Sequence, residues 1–164
     1  MANYPLMFTF RDAVSGNGFL AGVTLSGRAL LVQEGEQDWC VYGVRPGAIA
    51  ETGTTPQEAY LRFRNRYKDV LFDISAESNN FEAFKRETER FYYQPDAEEE
   101  QRWEEAVRTL RCGELVPREQ FICTLPKESP ENRPSQIAVA RLDEVTRFQA
   151  SDNVSDTFVM AAAA

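Results

Sequence analysis

The sequence predicts an α+β fold: an antiparallel β-meander packed by an amphipathic helix, with two additional helices and a C-terminal strand pair. Three observations predict it. The first 52 residues consist of β-branched and aromatic runs separated by turn residues. The stretch Thr55-Pro56-Gln57-Glu58 marks a helix start on three separate grounds. Two further amphipathic segments precede a return to strand-like sequence near residue 120.

The meander opens at Met7-Phe8-Thr9-Phe10, and Ser15-Gly16-Asn17-Gly18 is a strong turn signal before the run Phe19–Leu25. A third run, Ala29–Val32, ends at the polar stretch Glu34–Asp38, and Trp39–Val44 returns as its hairpin partner. Arg45-Pro46-Gly47 turns the chain again into a short strand, Ala48–Glu51. Thr55 then caps a helix, Pro56 suits its first position because the missing N–H would be unpaired there, and Glu58 completes a capping box. Ala59, Phe63, Tyr67, Val70, Leu71 and Ile74 fall on one stripe, so the helix spans about 55–74. Asn79 or Asn80 caps a second helix through Phe81, Phe84, Thr88 and Phe91, stopped by Gln94-Pro95. Asp96 opens a third, with glutamates in its first turns, arginines in its last, and Gly113 at the position of a left-handed cap. Gln120–Leu125 and Gln136–Ala140 read as strands around a proline-punctuated loop. The expected organisation is one domain, 1–148, followed by a flexible tail, 149–164.

Composition narrows the function classes. The chain carries 18 Lys+Arg against 26 Asp+Glu, a net charge of −8 that opposes general affinity for phosphate backbones and anionic lipid. No apolar run approaches the ~18 residues a membrane helix needs, and Met1–Phe10 does not read as a secretion signal. The three cysteines, Cys40, Cys112 and Cys123, are an odd number without close spacing, which suits a reducing, cytoplasmic compartment. Histidine is absent, which removes the commonest general base and most metal sites. The expectation is a protein without enzymatic activity, cofactor or metal.

Several constellations remain to be weighed. Arg62, Arg64, Arg66 and Lys68 make a basic stripe that reads better as a solvated helix face than as a nucleic-acid contact, since no aromatic side chains interleave it. Glu98, Glu99, Glu100, Glu104 and Glu105 form an acidic face whose first half suits the helix dipole. Trp39 and Tyr42 point to opposite faces of one strand, so at most one enters the core and the other is partly exposed. The expected partner-binding residues are therefore Trp39, Tyr42, Glu98, Glu99, Glu104 and Glu105, facing a basic protein. Two alternatives stand beside this. One is a small hydrolase or ligand-binding protein using Asp12, Glu34 or Asp38, and the other is a structural homo-oligomer in which the aromatic strand pairs edge to edge with a copy.

The order from Ala29 to Phe72 also carries a resemblance. A strand leads through an acidic turn to an aromatic strand, then to Val44-Arg45-Pro46-Gly47, a short strand, and Gly53-Thr54-Thr55-Pro56-Gln57-Glu58-Ala59 at the helix entry. This resembles the HicB-like antitoxin domain, with one residue more between Gly53 and Glu58-Ala59 than the family's pattern. The resemblance implies a partial ribonuclease-H-like fold without catalytic carboxylates. It also implies an acidic protein that oligomerises and masks a small basic ribonuclease toxin. Family members commonly add a DNA-binding module, and none is legible after the Ala59 helix, so no binding of duplex DNA is expected.

Overall fold

Two long strands set the frame. In the computed structural model, which describes residues 2–94, 96–114 and 136–144, β1 (Ala2–Gly16) and β2 (Phe19–Gln33) pair antiparallel in unbroken register from Ala2↔Gln33 to Gly16↔Phe19. Asn17-Gly18 closes the hairpin, and Gly18 takes φ 76°, the left-handed geometry that a two-residue hairpin turn favours. The remaining described elements are β3 (Trp39–Arg45), β4 (Ala50–Gly53), α1 (Pro56–Glu77), α2 (Phe81–Tyr93), α3 (Ala97–Arg111) and β5 (Gln136–Arg141). The sheet order is β1-β2-β3-β4, and β5 pairs with β2.

The second and third runs expected from the sequence are one strand. Gly27 lies between those two runs, and a Cβ there would lie 2.4 Å from the Phe8 ring. The glycine therefore permits close packing inside a continuous strand. The far edge of β2 is divided: β3 pairs with residues 28–33, with a register shift at Arg28/Ala29, and β5 pairs with residues 21–26.

Burial follows from this division. Tyr4, Leu6, Phe8, Phe10, Val14, Val23 and Leu25 alternate toward α1 and α2 and form the main core. Leu30, Val32 and Val44 turn the other way, onto Trp103, Ala106 and Val107 of α3. Residues 29–32 are consequently buried on both faces and read as a continuous apolar run. Aromatic edge-to-face pairs join α1 to the sheet, Phe8–Phe63 at 5.4 Å and Phe10–Tyr67 at 4.9 Å between centroids.

The helix boundaries follow their caps. The Thr55 side chain accepts from Glu58 N at 3.1 Å, and Glu58 Oε2 accepts from Thr54 N at 2.8 Å, one residue earlier than an ideal capping box. Helix α1 buries Ala59, Phe63, Tyr67, Leu71 and Ser75, and it continues three residues past the expected end, to Glu77. Asn80 and Asp96 cap α2 and α3, and Gly113 (φ 74°) follows α3. The expected strand Gln120–Leu125, the loop after it and the expected tail from residue 149 lie outside the described residues. Among the described residues no helix is long and apolar enough to cross a membrane.

Gly53 ties the meander to α1. A Cβ at Gly53 would sit 2.5 Å from the backbone N and 3.0 Å from the Cα of Ala59, which is itself fully buried. Gly53→Ala is expected to destabilise the fold by about 1–3 kcal/mol, because backbone rather than a movable side chain blocks the methyl. Urea unfolding followed by circular dichroism checks this, and an unchanged midpoint would refute the close approach.

Candidate interaction site

The apolar face of α3 places its polar flank beside β3. Tyr42 rims the cluster built by Leu30, Val44 and Trp103. Over its ring, 5.3 Å from the centroid, lies the Arg102 guanidinium, and Arg102 Nη1 donates to both oxygens of Glu99 at 2.9 and 3.1 Å. The Tyr42 hydroxyl in turn donates to Glu34 Oε1 at 2.8 Å. Two features some sixty residues apart in sequence thus become one continuous surface, Glu34–Tyr42–Arg102–Glu99. The hydrogen bond to Glu34 pushes the Tyr42 pKa up, and contact with Cys40 and partial burial add to it.

The acidic face of α3 is partly self-neutralised. Glu99 pairs with Arg102, Glu100 with Arg45 of β3, and Glu105 with Arg108. The hydrogen bond from Arg108 holds the Glu105 carboxyl below the usual carboxylate range. Among the described residues, Glu98 and Glu104 make no ion pair, and both are exposed. The outward negative field of the helix therefore comes mainly from these two.

Trp39 takes the other path. It is 4% exposed, belongs to the main core and lies 6.3 Å from the Tyr4 ring. Its strand is also not an edge: β2 covers one side of β3, and β4 covers the Trp39–Tyr42 stretch on the other. Edge-to-edge pairing of the aromatic strand with a copy is thereby corrected, because the short β4 already occupies the hydrogen-bonding groups that such pairing needs.

Of the three carboxylates considered for catalysis, Glu34 and Asp38 share a cleft and Asp12 lies apart. Asp12 bonds Lys68 at 3.1 Å and sits opposite Val23, ten positions along β2 from Gln33. At about 3.3 Å per residue, that places it roughly 30 Å from the Glu34 end of the sheet. Glu34 and Asp38 border one cleft of about 310 Å³ with Trp39 and Thr52. Arg62 also lines this cleft, with Glu58 at 2.6 Å. No group of three or more acidic or cysteine side chains able to hold a metal ion occurs among the described residues.

The basic stripe has a structural occupation. Arg62 Nη1 donates to the Thr52 carbonyl of β4 at 3.1 Å, and Arg64 Nη1 donates to the Thr9 carbonyl of β1 at 2.6 Å. The sequence reading missed Arg102, Arg45 and Arg28, the last lying 4.5 Å over the Trp103 ring. The i, i+3 spacing of Glu99 and Arg102 was a legible signal for one pair, but stacking on Tyr42 arises only when α3 docks.

The two raised tyrosines predict an alkaline limb of stability. Burial pushes the Tyr67 hydroxyl up, as the bond to Glu34 does for Tyr42. A raised folded pKa gives stability that is present below the ordinary tyrosine value of about 10 and declines as pH rises above it. Tyr42→Phe and Tyr67→Phe are each expected to flatten that decline in denaturant unfolding measured from pH 7 to 11. The Tyr67 hydroxyl is buried with no hydrogen-bond partner among the described residues. At neutral pH, Tyr67→Phe should therefore be neutral or stabilising, while Tyr42→Phe costs up to about 1 kcal/mol.

Compared with protein-family models, with curated proteins and with solved structures, the chain matches none.

Proposed function

We propose that this chain is a non-catalytic protein-binding module of the HicB-like antitoxin kind, an orphan without a DNA-binding module, acting in the cytoplasm on a basic protein partner. The observation that carries this reading is the rim where Arg102 stacks on Tyr42 beside Glu98, one helical turn back on α3, which is exposed and makes no ion pair among the described residues. Tyrosine and arginine are the side chains that most often anchor protein interfaces. The exposed Glu98 next to them, with Glu104 on the other flank of α3, favours a cationic surface and raises its encounter rate. The meander that runs from β1 to β4 and directly into the Thr55-capped α1 supports the family reading, since it follows the order the resemblance implies. The net charge of −8 and the free thiols of Cys40 and Cys112 agree with a cytoplasmic inhibitor of a basic protein.

Affinity capture from the native host, followed by reconstitution with the purified partner, tests this. The expected outcome is a small basic protein whose binding weakens as salt rises. Replacing Glu98 and Glu104 together by Lys should weaken it at least about tenfold, mainly through a slower on-rate. A mobility-shift assay should show no binding of duplex DNA at micromolar protein. Capture of this chain alone would instead favour the homo-oligomer, and salt-sensitive DNA binding would overturn the reading.

A further inference from the structure

The sheet has a third margin, along β5. This strand opposes β2 through Gly22↔Ala140, Thr24↔Ala138 and Ser26↔Gln136, alternating with Ala21↔Arg141, Val23↔Val139 and Leu25↔Ile137. Phe19 faces Gly16 at the mouth of the two-residue hairpin, so from 19 to 26 the odd residues of β2 bond β1 and the even ones bond β5. The Leu20 amide keeps that alternation, donating to Asp143 Oδ1 at 3.3 Å on the β5 side. Residues 136, 138 and 140 therefore use their backbone groups on β2, while Ile137, Val139 and Arg141 direct theirs outward. Among the described residues no strand pairs with that outer edge.

We infer that this edge pairs with a second copy of the chain, β5 against β5, antiparallel about a two-fold axis at Val139. The margins at β1 and β4 are closed to such pairing, because donors on α1 hold the Thr9, Ser15 and Thr52 carbonyls. No such guard stands on β5. It contains neither proline nor lysine, and its one charge, Arg141, sits at the end, neutralised by Asp143 at 3.0 Å and Glu144 at 3.2 Å. The strand is also fixed in place: Arg141 Nη2 donates to the Gly18 carbonyl at 3.1 Å, which ties its end to the hairpin turn.

The outward residues 137, 139 and 141 are symmetric about Val139, which makes the edge complementary to its own copy. In that register Val139 meets Val139 of the second copy and Ile137 meets Arg141, so every outward group is paired. The intervening positions set Ala138 opposite Ala140 twice, where both are exposed and neither bulk nor charge opposes approach. Val139 belongs to the main core and Ile137 packs against it, so the pairing joins the apolar faces of two sheets. Six residues make an edge of roughly 20 Å, a small interface that places the dimer at the weak end. The rim of α3 and β3 is separate, since β3 pairs with the other half of β2.

The full-length chain is followed by sedimentation velocity from about 1 μM to about 1 mM at about 0.15 M salt, with amide hydrogen exchange at the two extremes. A monomer–dimer equilibrium with a dissociation constant of about 100 μM or tighter is expected. At the higher concentration the outward amides of Ile137, Val139 and Arg141 should exchange at least about threefold more slowly, and those of Ala138 and Ala140, already bonded to β2, should change less. Ala138→Lys with Ala140→Lys sets lysine opposite lysine twice and should weaken the dimer at least about tenfold. It does so while bringing the net charge of −8 nearer zero, a change that by itself favours association. Ala138→Lys with Ala140→Glu keeps the net charge, sets lysine opposite glutamate twice and should restore the dimer. Both positions are exposed, so neither variant disturbs the core. A chain that stays monomeric throughout, or outward amides protected equally at every concentration, would overturn the pairing. So would an undiminished dimer in the lysine–lysine variant or no recovery in the lysine–glutamate one.

Discussion

The structure depends on β2 being hydrogen-bonded along both edges. One side belongs to β1 for its whole length, while the other is shared between β3 at residues 28–33 and β5 at residues 21–26. A strand paired in this way cannot slip, because a one-residue shift would turn Val23, Leu25 and Leu31 out of the core and bring Thr24 and Ser26 in. The division also gives the sheet two kinds of outer face. Beside β3 the face is apolar and covered by α3. Beside β5 it carries Thr9, Arg11, Thr24 and Ser26, which are exposed. The apolar seam under α3 and the polar face of the hairpin are consequences of the same partition.

Arginine does most of the connecting, in three distinct ways. Arg62 and Arg64 reach from α1 to backbone carbonyls on β4 and β1. Arg102 and Arg28 spread over the Tyr42 and Trp103 rings at the seam between α3 and the sheet. Arg45 and Arg108 neutralise Glu100 and Glu105. Exposed ion pairs contribute little to stability, commonly under about 1 kcal/mol. Their consequence is electrostatic, since each removes a carboxylate from the outward field and leaves Glu98 on the rim beside Arg102 and Glu104 on the other flank of α3. Lysine would serve the first two roles poorly, for it has neither the fork nor the planar face.

Signals written in adjacent residues were legible in the sequence. Asn17-Gly18 closed its hairpin, Thr55, Asn80 and Asp96 capped their helices, and Gly113 followed α3, because each acts through hydrogen bonds or backbone geometry within a few residues. Signals that depend on distant partners were not. The runs Phe19–Leu25 and Ala29–Val32 read apart because the ring that Gly27 between them accommodates, Phe8, lies across the hairpin. The basic stripe resembled a solvated face because the carbonyls it meets, Thr9 and Thr52, belong to two other elements. The candidate site divides in the same way. Tyr42 and the glutamates of α3 were legible as exposed chemistry, while their meeting through Arg102 required α3 to dock on β3. Trp39 and Tyr42 were placed on opposite faces by period alone, but that β4 closes their strand's edge is a matter of topology.

Sheet edges bear on how a partner can engage. In a two-residue hairpin closed at Gly16↔Phe19, the residues 15, 13, 11 and 9 of β1 direct their carbonyls away from β2. Two of these are occupied by α1: Ser75 Oγ donates to the Ser15 carbonyl at 2.7 Å, and Arg64 donates to that of Thr9. At the opposite margin Arg62 occupies the Thr52 carbonyl of β4. A strand added to either edge would have to displace these donors, and the nearly buried Ser75 hydroxyl would lose its partner. Edge addition along β1 and β4 is thus opposed by the same helix that packs on the main core. Association through faces meets no such cost. The rim of α3 and β3 carries the exposed Glu98, so the proposed cationic partner would meet a face and not an edge.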